Sequence, residues 1–101
     1  MRVRHSHLTF IKIMTFKELK FEDISSTHGP CAIQVIVPFS NGYEVSVVKH
    51  KGSYGSDKGL YEIGVFDALD RMRDPLGWGD TVKGYLTPEG VEKELELIER
   101  L

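Results

Sequence analysis

A single cysteine, Cys31, in 101 residues excludes an internal disulfide, so a chain this short must be held by packing or by association. No apolar run approaches the roughly 20 residues that span a bilayer. Residues 1–13 lack the apolar centre and small-residue cleavage site of a secretory leader, so the expected location is cytoplasmic, without a membrane partner. Positive charge is not in excess: 13 Lys+Arg stand against 15 Asp+Glu, a net charge of −2. That balance argues against a dedicated nucleic-acid binder and equally against a heavily acidic DNA mimic. Neither GxGxxG nor GxxxxGK[ST] occurs, and no diagnostic catalytic or metal signature replaces them. The length leaves no room for two hydrophobic cores.

The charge that is present is unevenly placed. Residues 1–20 carry Arg2, Arg4, Lys12, Lys17 and Lys20 against Glu18, and the C-terminal part leans acidic. The chain divides into an N-terminal arm, 1–13, and one α+β domain, 14–101, with Met14 a second plausible start. "RHSH" at 4–7 could ligate a metal or touch a phosphate, but a terminal segment is a poor place for either.

Alternation gives the sheet. In "CAIQVIVPF", residues 31–39, Cys31, Ile33, Val35, Val37 and Phe39 share one face. Pro38 has no N–H, so at that point the strand lies at a sheet edge or has its nitrogen turned outward. "YEVSVVKH", residues 43–50, alternates in the same way. A two-residue Asn41-Gly42 turn would pair Val37 with Ser46. A three-residue Ser40-Asn41-Gly42 turn pairs Phe39 with Tyr43, Val37 with Val45 and Val35 with Val47, which keeps one face apolar. "LYEIGVF", residues 60–66, is the third strand. The expected fold is therefore an antiparallel three-stranded meander packed against a C-terminal amphipathic helix, four-stranded if "DTVKGYL" is an edge strand rather than the helical turn preferred here.

The final helix is marked by Thr87 as N-cap, Pro88 at the first helical position and Glu89 in the first turn. Helical spacing gathers Val91, Leu95, Leu97, Ile98 and Leu101 into one arc, with Glu94 as an edge carboxylate and Glu92, Glu96 and Glu99 pointing away. "TFKELKFEDI" reads as a short helix, "SSTHGP" as a loop, and "DALDRMRDPLGWGD" as a helical turn broken at Pro75 with Trp78 packing on the core or its rim.

Chemistry concentrates around "KGSYGSDKG", residues 51–59. A strand follows it rather than a helix with a free N-terminus, so a phosphate cradle is disfavoured. Its glycines allow positive backbone angles, with Ser53, Ser56 and Asp57 bonding to local amides. Tyr54 is a large amphipathic ring at the tip, suited either to anchoring an interface or to packing back on the sheet. The expected partner-binding set is Tyr54, Lys49, Lys51, Ser53, Asp57 and Lys58. The strand register also brings His28, Cys31 and His50 to the loop's base, a weak metal candidate with Asp57 as a fourth ligand. A Cys31 nucleophile with His50 as base is disfavoured, Cys31 being expected in the core. No catalytic set, cofactor or metal is assigned, and the chain is read as a non-enzyme.

"NGYEVSVV", "GSYGSDKGLYEIGVF" and "GYLTPEGVEKELELI", in that order over residues 32–101, resemble a group of small phage-encoded accessory proteins of unassigned function. The resemblance implies a protein made in a bacterial host cytoplasm that acts by gripping a host protein, as anti-CRISPR and other anti-defence inhibitors do. It does not extend to residues 1–13 or to "DRMRDPLGWGD". The alternative reading is a nucleic-acid-binding module in which Lys49, Lys51 and Lys58 track phosphates and Tyr54 stacks on a base. The oligomeric state stays open, a dimer included.

Overall fold

Valine-rich alternation and two glycine-bearing connections, at Gly42 and at residues 51–59, produce the central hairpins of the fold. The computed structural model describes residues 15–101, so the N-terminal arm, Met14 and "RHSH" lie outside the described residues. The strands are β1 (Glu22–Asp23), β2 (Ile33–Pro38), β3 (Glu44–Lys49), β4 (Tyr61–Phe66), β5 (Met72–Arg73) and β6 (Val82–Leu86). The helices are α1 (Ser25–His28), a single turn, and α2 (Pro88–Glu99).

The order β1-β2-β3-β4-β5 is antiparallel throughout, and β6 pairs with β4 beside β5. The expected meander is thus the centre of a larger sheet. Its register is the one the apolar face demands: Val37 opposes Val45, Val35 opposes Val47, and the Phe39 N–H donates to the Tyr43 carbonyl at 2.9 Å. That bond turns the alternate residues, Ile36 and Pro38 among them, outward along β2, where β1 pairs only with Ile33 and Gln34. Pro38 therefore sits at the edge with its nitrogen facing away from β3.

One sheet face and α2 enclose the core. Val45, Val47, Ile63 and Val65 are fully buried against Val91 and Ile98, and Phe16, Phe21 and Tyr61 close one end as mutually contacting rings. Trp78 packs at the rim as expected. Thr87 caps α2, its hydroxyl accepting the Gly90 N–H at 3.0 Å. At the other end, the Asn41 amide in the β2–β3 turn donates to the carbonyls of Ile98 (2.8 Å) and Leu101 (3.2 Å), tying hairpin to helix.

Several local expectations are overturned. Residues 82–86 are a strand, not a helical turn, because pairing Lys83 with Ile63 and Val82 with Gly64 completes β4. Residues 67–71 form a hairpin turn instead of a helical one: the Asp67 carboxylate accepts the Leu69 and Arg71 N–H groups and bends the chain back into β5. "SSTHGP" contains the turn α1, and the stretch from Phe16 shortens to a 3-10 turn, Phe16–Glu18, followed by β1. Leu97 and Leu101 lie outside the buried arc of α2, 40% and 49% exposed. Glu92 does not point away, since its carboxylate accepts the Phe16 N–H. Glu94 is buried rather than marginal. It accepts from the Trp78 indole at 3.1 Å and pairs with the Lys83 ammonium at 2.8 Å.

Candidate interaction face

The face of the sheet turned away from α2 follows from the same register. Across it run Ile36, Ser46, Gly64 and Val82, beside a row of Gln34, Val48 and Glu62 and a row of Glu44, Phe66 and Met72. Every described side chain in these rows except Gly64 keeps some solvent exposure, Ile36 and Met72 most among the apolar ones. An open sheet face with alternating polar residues is ordinary for an antiparallel sheet; what distinguishes this one is the aromatic end where the 51–59 loop lies on β6.

That loop is folded back on the sheet. Ser53 is buried, its hydroxyl accepting the His50 N–H at 3.0 Å and donating to the His50 carbonyl at 2.8 Å. The expected local bonding of Ser53 is present, and it removes Ser53 from the contact set. Next, the Tyr54 carbonyl accepts the Tyr85 N–H at 3.1 Å, and the Leu60 N–H donates back to the Gly55 carbonyl at 3.0 Å.

Two glycines permit this closeness. A Cβ on Gly84 would lie 2.3 Å from Tyr54 Cβ, and one on Gly55 would lie 2.9 Å from Tyr85 Cα. Gly55 also has φ +95°, a left-handed conformation that side chains disfavour. Opposite Glu62, β6 inserts two residues, Gly84 and Tyr85, where β4 has one, so the ladder bulges. Tyr85 takes φ +57° there. A bulky residue in that region is held by its surroundings at a cost of about 1–2 kcal/mol.

The result is two tyrosines on interlocked backbone, Tyr54 and Tyr85, 54% and 59% exposed. Of the two places expected for Tyr54, the ring takes the exposed one, while its backbone is fixed on β6 rather than at a free tip. Tyr85 was missed; its signal was the glycine inside "VKGYL", which marks a bulge in a strand pattern.

The basic residues divide. Lys51 and Lys58 are exposed near Tyr54 in sequence, as is Asp57. Lys49 turns to the core side, its ammonium 4.9 Å from the Tyr61 ring centre, so it does not join them. Away from the tyrosines, Asp67 is an acid held in its charged form by its neighbours. Its hydrogen bond from Arg73 and the backbone N–H groups it gathers hold its carboxyl well below the usual carboxylate range.

At the loop's base His28 and His50 meet, ring centres 5.0 Å apart, as the register required. Cys31 is exposed rather than in the core. It has φ +63° in the turn after α1, which breaks the alternation two residues before β2 begins, and Ala32 takes the buried place. Among the described residues no group of three or more His, Cys, Asp or Glu is arranged to hold a metal ion. A closed site of His28, Cys31, His50 and Asp57 is therefore not formed. No described helix is long and apolar enough to cross a membrane. No protein-family model, curated protein or solved structure matches the chain at a significant level.

Proposed function

We propose that this is a small phage-type accessory protein that works by protein–protein contact, binding and inhibiting a bacterial host protein of the defence type. The observation that carries the contact reading is the Tyr54–Tyr85 pair. Tyrosine supplies large contact area with few rotatable bonds, and rings held on fixed backbone lose little further entropy on docking. The left-handed Tyr85 supports it, because the residue that carries backbone strain a glycine would relieve is also one whose ring is exposed. The phage and host-defence part of the reading rests on the sequence motifs alone.

The test is capture from bacterial lysate with the wild-type chain, Tyr54→Ala and Tyr85→Gly, each shown to be folded. A partner retained by wild type and lost by both variants is the expected outcome; equal capture by all three removes these rings from the interface. The nucleic-acid alternative draws on Lys51 and Lys58, both exposed near Tyr54. Filter retention of single-stranded nucleic acid that falls steeply with salt would favour it over protein contact.

A further inference from the structure

Asn41 is the sole asparagine of the chain, and a glycine follows it. That pair is chemically labile, because a residue without a side chain leaves its own nitrogen unobstructed beside the asparagine amide. Once the Gly42 amide has lost its proton to solvent, its nitrogen can attack Asn41 Cγ. The N–Cγ bond forms, the Cγ–Nδ2 bond breaks, and ammonia leaves with a proton taken from water, giving a cyclic imide. Water then opens the ring at either carbonyl, leaving aspartate or isoaspartate at position 41. One water enters and one ammonia departs, with no oxidation or reduction.

In the folded chain each reacting group is engaged. The Gly42 N–H donates to the Phe39 carbonyl at 3.1 Å, so the nucleophile keeps its proton. Asn41 Oδ1 accepts the Tyr43 N–H at 3.0 Å. Nδ2 donates to the main-chain oxygens of Ile98 (2.8 Å), Glu99 (3.3 Å) and Leu101 (3.2 Å). Three acceptors around Nδ2 fix the orientation of the amide, since an oxygen in its place would face only oxygens. Asn41 is nonetheless exposed, so water reaches it once these bonds open. We propose that Asn41 is a site of spontaneous deamidation, guarded by the docked end of α2, whose reaction releases that end irreversibly. The guard opens more readily than the whole fold, because it joins the last turn of a helix to the tip of a hairpin. Reaction then reverses the contact. Aspartate replaces a donor facing three oxygens with a charged acceptor, at the helix end where the main-chain dipoles already concentrate negative charge. Isoaspartate adds a carbon to the main chain inside the turn that sets Phe39 opposite Tyr43.

The wild-type chain is held at mildly alkaline pH, folded and in concentrated urea, and the amide-to-acid mass change and isoaspartate at position 41 are followed by peptide mapping. The folded chain should react about tenfold more slowly or less, and slowed by at least the factor by which folding protects the Gly42 N–H from hydrogen exchange. Equal rates in the two states, or a slowing smaller than that protection, would overturn the guard. Asn41→Asp, made directly, tests the consequence. Its thermal midpoint should fall below that of wild type, and the Arg100 N–H at the end of α2 should lose more protection than the Val91 N–H at its start. A wild-type midpoint, or an even loss along the helix, would overturn the release. Neither measurement involves a protein partner, so the site stands or falls apart from the tyrosine face.

Discussion

Asn41 and Asp67 show how much single polar side chains settle in this chain. Asn41 reads as a turn residue, and it is one, since its side-chain oxygen accepts the Tyr43 N–H at 3.0 Å. Its amide also caps the end of α2 from across the molecule. Replacing it with alanine leaves the Ile98 carbonyl without this donor and should lower stability by about 1–2 kcal/mol in urea unfolding. An unchanged midpoint would mean that water replaces the cap without loss. Asp67 organises its hairpin with a carboxyl whose folded pKa is depressed, chiefly by the bond from Arg73. A depressed folded pKa contributes stability that is complete above the unfolded value of about 3.9 and declines as pH falls below it towards the folded one. Asp67→Asn should therefore flatten the acid limb of a stability-against-pH curve relative to wild type, with the difference between the two proteins shrinking as pH drops below about 4.

At the level of elements, the seam between β6 and α2 is the informative one. Val91, Leu95 and Ile98 bury the apolar stripe of α2, and Glu94 falls inside that stripe at 7% exposure. A carboxylate so placed is tolerated because the Trp78 indole and the Lys83 ammonium satisfy it. Lys83 reaches Glu94 because β6 is a strand whose register sets Lys83 opposite Ile63, on the helix side of the sheet. Lys83→Met should cost about 1–2 kcal/mol, the lower part of the range for stranding a buried charge because Lys83 is partly solvated. The double variant Lys83→Met, Glu94→Leu should recover part of that loss. A double variant as unstable as the sum of the singles would show that the pair is not coupled.

For the molecule as a whole, the two sheet faces do different things: one is sealed by α2, the other ends in the ledge that presents Tyr54 and Tyr85. If Tyr85 is kept in a left-handed conformation for contact, then Tyr85→Gly should raise stability, or leave it unchanged, while abolishing partner capture. The expected gain is up to about 1 kcal/mol, the relief of strain less the lost packing of the ring. A clear fall in thermal midpoint would instead assign Tyr85 a structural role. Gly84→Ala should act in the opposite direction, because its methyl would occupy the space of Tyr54 Cβ. The loop would have to leave the sheet, lowering stability and capture together.

Patterns of short range were legible in the chain. Alternation in β2, β3 and β4, the three-residue turn, the outward nitrogen of Pro38 and the Thr87-Pro88 start of α2 each depend on residues a few positions apart, where sterics and hydrogen bonding admit few alternatives. The meeting of His28 with His50 was legible for the same reason, as a consequence of register. Pairing with distant residues decided what local pattern left ambiguous. Whether "DTVKGYL" is helix or strand depends on the free edge of β4, and the exposure of Cys31 depends on a left-handed turn that alternation cannot register. The Tyr54–Tyr85 ledge needed tertiary structure most of all. Two glycines 29 positions apart must be brought within one atom's breadth of the opposite strand and loop before either ring has a fixed place.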